Sequence, residues 1–132
     1  MDPDHIRELF AGFGVVDVRR MFGGAGVFAD DLMIALVAQD VVYLKADAQT
    51  IPAFEREGLA PFSYATRDGT RTITSYWRMP DRLYDDADEL ARWAREALEV
   101  ARRKPRAGAK SSKRTRPSKA QRDPATRRKR RV

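Results

Sequence analysis

Few groupings of residues in this chain have the types and spacing to do chemistry. The first is the run Arg20-Met21-Phe22-Gly23-Gly24-Ala25-Gly26, with Arg19 just before it. A glycine turn beside cations cradles phosphate when backbone N–H groups converge at a helix N-terminus. Here a strand pattern follows, and the spacing fits neither the dinucleotide nor the P-loop fingerprint. A turn or bulge that needs positive φ or close backbone approach explains the glycines more simply. The second grouping is Asp85, Asp86, Asp88 and Glu89. Paired carboxylates can ligate a cation or move protons, but these sit where a helix should begin, where carboxylates cap free N–H groups and favour the positive end of the dipole. Asp30-Asp31 reads as a turn for similar reasons. The third is His5, tied to no serine or carboxylate by any motif and read as a surface position. The fourth is Tyr76-Trp77-Arg78, which could stack on bases. Neighbours on a strand face opposite ways, so one of the two rings belongs to the core. Arg71, Arg78 and Arg82 could line an exposed sheet edge.

The remaining chemistry is excluded or displaced by composition. With no cysteine and one histidine, the chain has no thiolate nucleophile, no disulfide and no zinc pattern. No metal or cofactor site is expected, and no convergent acid, base and nucleophile set argues for an enzyme. The longest apolar run, Leu32 to Ala38, is far short of the roughly 20 residues of a membrane span, and the acidic start lacks a signal-peptide layout, so a soluble cytoplasmic protein without membrane contact is expected.

The net charge of +7 hides a division: residues 1–101 hold 11 basic and 18 acidic side chains (net −7), and residues 102–132 hold 15 basic and one acidic (net +14). Past Ala101 the only apolar side chains are four alanines and Val132, too little to offset an ordering cost of about 1–2 kcal/mol per residue. The chain therefore reads as a folded domain over 1–101 and a disordered Lys/Arg-rich tail over 102–132. The tail's cations are Arg102, Arg103, Lys104, Arg106, Lys110, Lys113, Arg114, Arg116, Lys119, Arg127, Arg128, Lys129, Arg130 and Arg131, with Arg122 among them. Such runs neutralise phosphates and release counterions. Without an aromatic or a fixed element, the tail is expected to bind nucleic acid with no sequence readout. The alternative is a solubilising or autoinhibitory strap lying on the acidic domain. That domain is itself expected to repel phosphate unless Arg19, Arg20 or a partner intervenes.

The elements that must position these residues follow from periodicity. Asp2-Pro3 starts a helix whose apolar face is Ile6, Leu9, Phe10 and Phe13, ended by Gly12 and Gly14. Val15 to Met21 reads as a strand that the glycine block interrupts. Val27-Phe28 begins another. Leu32 to Ala38 reads as a strand buried on both faces, and Val41 to Lys45 as a third strand after a Gln39-Asp40 turn. A helix over 48–57 ends at Gly58. Phe62 and Tyr64 share a strand face, Asp68-Gly69 is a hairpin signal, and Ile73, Trp77 and Met79 are expected on one face of the returning strand. The last helix starts near Asp85 or Asp86 and buries Leu90, Ala94, Leu98 and Ala101, with Trp93 and Ala97 alongside. The order α-β-β-β-α-β-β-α with short turns implies an α+β two-layer sandwich with an antiparallel sheet. An exposed edge strand makes a homodimer compatible with this layout.

Arg20 to Phe28, Tyr43-Leu44-Lys45, Pro61-Phe62-Ser63-Tyr64, Tyr76, Pro80, Leu90, Trp93 and Ala97 together resemble the N-terminal domain of the TfoX/Sxy family of bacterial competence regulators, over about residues 5–101. The resemblance implies an α-β3-α-β2-α sandwich, and a loop motif at Arg20, Met21, Phe22, Gly23, Gly24 and Gly26. It also implies a regulatory, non-enzymatic role in transcription, with a protein partner in the transcription machinery and a bacterial, cytoplasmic or nucleoid-associated location. The family's best-known members act as co-activators with the cyclic-AMP receptor protein and carry a C-terminal helical domain, where this chain has its basic tail. The family carries no established catalytic residues to transfer.

Overall fold

The computed structural model describes residues 1–21 and 23–103. Helix α1 (Pro3–Leu9) begins as its sequence dictates: the Asp2 carboxylate accepts the His5 N–H at 2.8 Å and proline opens the first turn. Ile6 and Phe10 are fully buried. The Gly14 N–H then returns to the Phe10 carbonyl at 3.0 Å and ends the turn.

Six strands follow, all antiparallel to their neighbours: β1 (Asp17–Met21), β2 (Gly24–Ala29), β3 (Leu32–Ala38), β4 (Val41–Lys45), β5 (Pro61–Thr66) and β6 (Gly69–Arg78), in the sheet order β1-β2-β3-β4-β6-β5. Helix α2 (Ile51–Arg56) joins β4 to β5, and α3 (Ala87–Arg102) closes the domain. The two-layer antiparallel α+β architecture is the one expected, with four strands rather than three before α2. The glycine block interrupts the strand as expected: β1 ends at Met21, β2 starts at Gly24, and the two residues pair across the hairpin. Asp30-Asp31 and Gln39-Asp40 take positive φ at both central positions (52° and 62°; 51° and 64°). That is the mirror-image turn whose twist suits two-residue hairpins.

The core lies between one sheet face and the helices. Val27, Ile34, Ala35, Val42, Leu44 and Trp77 meet Ile6, Phe10, Phe54, Leu90 and Ala94 there. β3 departs from the expectation of burial on both faces. It is bulged, pairing Val27 with Ala35 but Phe28 with Met33, which turns both Ile34 and Ala35 into the core and leaves Met33 and Leu36 half-buried on the other face. The buried stripe of α3 is Leu90, Ala94, Ala97 and Ala101, flanked by Ala91 and Val100, while Leu98 and Trp93 lie at its margin. Small residues dominate because α3 crosses close over β3 and β4.

Two features were not expected. A 3-10 helix (Asp81–Asp85) precedes α3; it buries Leu83 and places the Tyr84 hydroxyl to accept the Val42 N–H at 2.9 Å. And Ile73 does not share a face with Trp77 and Met79. Pairing slips from Pro61 with Trp77 to Phe62 with Ile73, and the Trp77 indole donates to the Thr74 carbonyl inside the bulge at 3.0 Å. Trp77 and Met79 are core, whereas Ile73 faces away from the helices.

Candidate functional site

Strand alternation separates the two arginines before the glycine block. Arg19 pairs with Gly26 and Arg20 with Ala25, so they point to opposite faces of the sheet. Arg20 borders a cleft with Gly23, Gly24 and Asp40, and Arg19 does not reach it. The guanidinium of Arg19 instead lies 4.1 Å from the centre of the Phe28 ring and pairs with Asp17 and Asp31 at 3.2 and 3.5 Å. The glycines themselves serve the hairpin. Gly23 has φ +77° in open space, and a Cβ on Gly24 would stand 2.2 Å from the Val37 carbonyl oxygen. Gly26 lets Met21, Phe28 and Met33 close over the strand. A strand follows the turn, not a helix, so its N–H groups enter a ladder rather than converge on an anion. Phe22 of the loop motif lies outside the described residues.

The helix-free face of the sheet is concave. Met21 on β1 and Phe62 and Tyr64 on β5 line one cavity with Leu36, Ile73 and Tyr76, of about 400 Å³. β1 and β5 are the two edges of the sheet; laid flat, six strands would hold them about 24 Å apart, so the sheet must coil. Rings pave this trough. Tyr43 meets Phe62 edge-on at 4.9 Å, and Phe62 lies nearly parallel to Tyr64 at 5.7 Å. Tyr76 donates to the Met33 carbonyl at 3.4 Å, and burial pushes its hydroxyl up to about 12. Lys45 stands 4.9 Å over the Tyr76 ring. As expected, Tyr76 and Trp77 face opposite ways, Trp77 into the core and Tyr76 into the trough.

The charge of the folded part is not uniform. The six strands carry Arg19, Arg20, Lys45, Arg71 and Arg78 against a single carboxylate, Asp17. The other acids sit in helices, caps and turns. The net acidity of residues 1–101 therefore lies outside the strands, although Asp31 and Asp81 reach back to pair with Arg19 and Arg78.

Elsewhere, the structure finds structural work for the candidate groups. The Asp86 carboxylate accepts the Glu89 N–H at 3.0 Å at the start of α3. Arg82 leaves the sheet edge proposed for it and bridges Glu57 and Glu89 instead. Its hydrogen bonds hold both carboxylates below the usual range, and they in turn raise its own guanidinium. Among the described residues no group of three or more His, Asp or Glu side chains could hold a metal, and no helix is long and apolar enough to cross a membrane. His5 is an exposed position on α1. Of the tail cations, Arg102 belongs to the last turn of α3, where it pairs with Asp30 at 2.5 Å and Glu99 at 3.0 Å. Arg103 follows as an exposed turn residue. Lys104 to Arg131 lie outside the described residues.

The trough escaped sequence reasoning because half of its lining comes from half-buried residues that alternation alone assigns to a core. The one available signal was the shared face of Phe62 and Tyr64.

These features define a small α+β domain with one covered and one open sheet face and no assembled catalytic constellation among the described residues. The chain belongs to the TfoX N-terminal domain family, whose sequence profile matches residues 8–101. A curated relative, the "DNA transformation protein TfoX1" of Aliivibrio fischeri (strain ATCC 700601 / ES114), is 26% identical over 106 residues, covering 77% of this chain and 50% of the relative. The chain thus spans about half the length of that protein.

Proposed function

We propose that this protein is a non-enzymatic regulator of the competence type, acting on transcription with a protein partner, and that its Lys/Arg-rich segment associates it with nucleic acid. The family match over residues 8–101 carries the regulatory part of this reading, and the relative's name, a DNA transformation protein, favours a role around DNA. The nucleic-acid part rests on the +14 of residues 102–132. A cytoplasmic, nucleoid-associated location follows from such a role.

The segment acts by counterion release. If about 6–10 of its cations engage phosphates, affinity falls by about 10³–10⁵ between 50 and 200 mM salt. The test is a DNA shift assay at both salt concentrations, with the full chain and with a chain ending at Arg103. The full chain binds DNA of any sequence with that salt dependence, and the shortened chain loses duplex binding. Equal duplex binding by both removes the segment from the reading. Absence of duplex binding by both rejects nucleic-acid association through the segment and leaves the strap, for which the acidity of residues 1–101 is the supporting observation.

A further inference from the structure

We propose that the concave, helix-free face of the sheet is a stacking platform for single-stranded nucleic acid. The observation is a repeated juxtaposition: each cation on that face stands by an aromatic ring. Arg19 lies over Phe28 and Lys45 over Tyr76. Arg71 is directly opposite Tyr64 in the β5–β6 ladder, and Arg78 opposite Tyr43 in the β4–β6 ladder. Directly opposed residues share a face.

Each half of the pattern has a use. Unpaired bases present flat π-faces that stack on Tyr and Phe, and the adjacent backbone offers phosphates to Arg and Lys. A duplex keeps its base faces inside and cannot enter such a trough. The cavity of about 400 Å³ is lined by Met21, Leu36, Phe62, Tyr64, Ile73 and Tyr76; it is in the size range of small-molecule sites and takes bases rather than a helix. The face favours an anionic ligand: Arg19, Lys45, Arg71 and Arg78 belong to it, and although Asp17 and Asp31 pair with Arg19 and Asp81 with Arg78, the only strand carboxylate is Asp17. The Arg71 side chain has no hydrogen bond or ion pair among the described residues, so its guanidinium is available to a phosphate. Tyr64, at 44% exposure on the edge strand, is the ring most open to a base. Stacking on ring faces and pairing of cations with phosphates read no base edges, so binding tolerates any sequence. The inference rests on the nucleic-acid reading above for its ligand class alone and uses none of the segment's residues.

The experiment measures anisotropy of the full chain with labelled oligodeoxythymidylate, longer than a site of about 4–16 nucleotides, and with a blunt duplex of equal length. Wild type prefers the single strand. Tyr64→Ala weakens single-strand binding about five- to tenfold and leaves duplex binding unchanged. Tyr64→Leu, which keeps the bulk and loses the ring, does the same, and Arg71→Gln weakens the single strand in the same direction. Neutralising Arg127 to Arg131 lowers duplex binding. If that variant binds duplex as wild type does while the Tyr64 effect persists, the segment's role fails and the platform stands. The platform is overturned if the Tyr64 variants leave single-strand binding intact or weaken both ligands equally. A dimer in sedimentation that Tyr64→Ala dissociates also overturns it, because a second copy of the chain then covers the face.

Discussion

Replacing Gly24 by alanine tests the account of the glycine block most directly. A Cβ there would lie 2.2 Å from the Val37 carbonyl oxygen and 3.3 Å from the Val37 carbonyl carbon. Both atoms are backbone of β3, fixed by ladders to β2 and β4, so relief requires the strands to part. Overpacking of a well-fitted site costs about 1–3 kcal/mol, and occasionally more; with backbone as the obstacle, about 3 kcal/mol is expected. A domain of this size holds about 5–15 kcal/mol in total, so the loss is a large share. Gly23→Ala gives the internal contrast. Its Cβ meets open space, and its φ of +77° is the left-handed region, which costs a non-glycine residue about 1–2 kcal/mol. Gly26→Ala should fall at or below that level, because its clashes at 2.8 to 3.3 Å are with the ends of Met21, Phe28 and Met33 side chains, which can swing. Urea unfolding of the three variants, with unchanged slope, reads the order Gly24 above Gly23 and Gly26. The reasoning is refuted if Gly24→Ala costs no more than Gly23→Ala, since a phosphate-cradle or flexibility role would not distinguish them by the atom each Cβ meets.

Phe10→Ala should cost about 3–5 kcal/mol in chemical denaturation, because the ring is fully buried in the core. Arg82→Met should flatten the acid limb of stability. Arg82 holds Glu57 and Glu89 below their usual values, so the bridge stabilises the fold above the free glutamate range near pH 4.3, and that contribution is lost as pH falls through their lowered folded values. Thermal melts of wild type and variant should converge below that window and differ above it; parallel curves would exclude the bridge as the source. Asp30→Asn keeps a residue that tolerates the φ of 52° at this turn while removing the charge that pairs with Arg102. Hydrogen exchange should quicken in the last turn of α3, with β3 and β4 amides unaffected.

Much of the fold was legible because local rules and tertiary packing agree. Asp2-Pro3 capped a helix, Asp30-Asp31 and Gln39-Asp40 turned hairpins, and Pro52 fell in a first helical turn. What escaped depended on distant partners. The bulges in β3 and β6 shift which residues face the helices, and no period-2 pattern announces them. Leu98 looked core by spacing, yet the axis of α3 rolls toward Ala97 and Val100, because small side chains let the helix approach the sheet. The partners of Arg82 lie 25 and 7 residues away, beyond any local rule. The trough needed the coiling of the whole sheet to bring Met21 and Tyr64 to one cavity. The sign of the sheet's charge was hidden by summing it with that of the helices.

The bulge between Ile73 and Trp77 makes one strand serve two interiors. Up to Ile73 its alternate side chains face the trough; from Tyr76 onward the phase has slipped by one, and Trp77 and Met79 enter the core. A saturation scan along β6 should therefore show tolerance to polar substitution that alternates, breaks step at Thr74 and Ser75, and resumes in the opposite phase. Removing one residue from the bulge would not shorten a loop. It would exchange the roles of Tyr76 and Trp77, turning an indole out to water and a hydroxyl into the core.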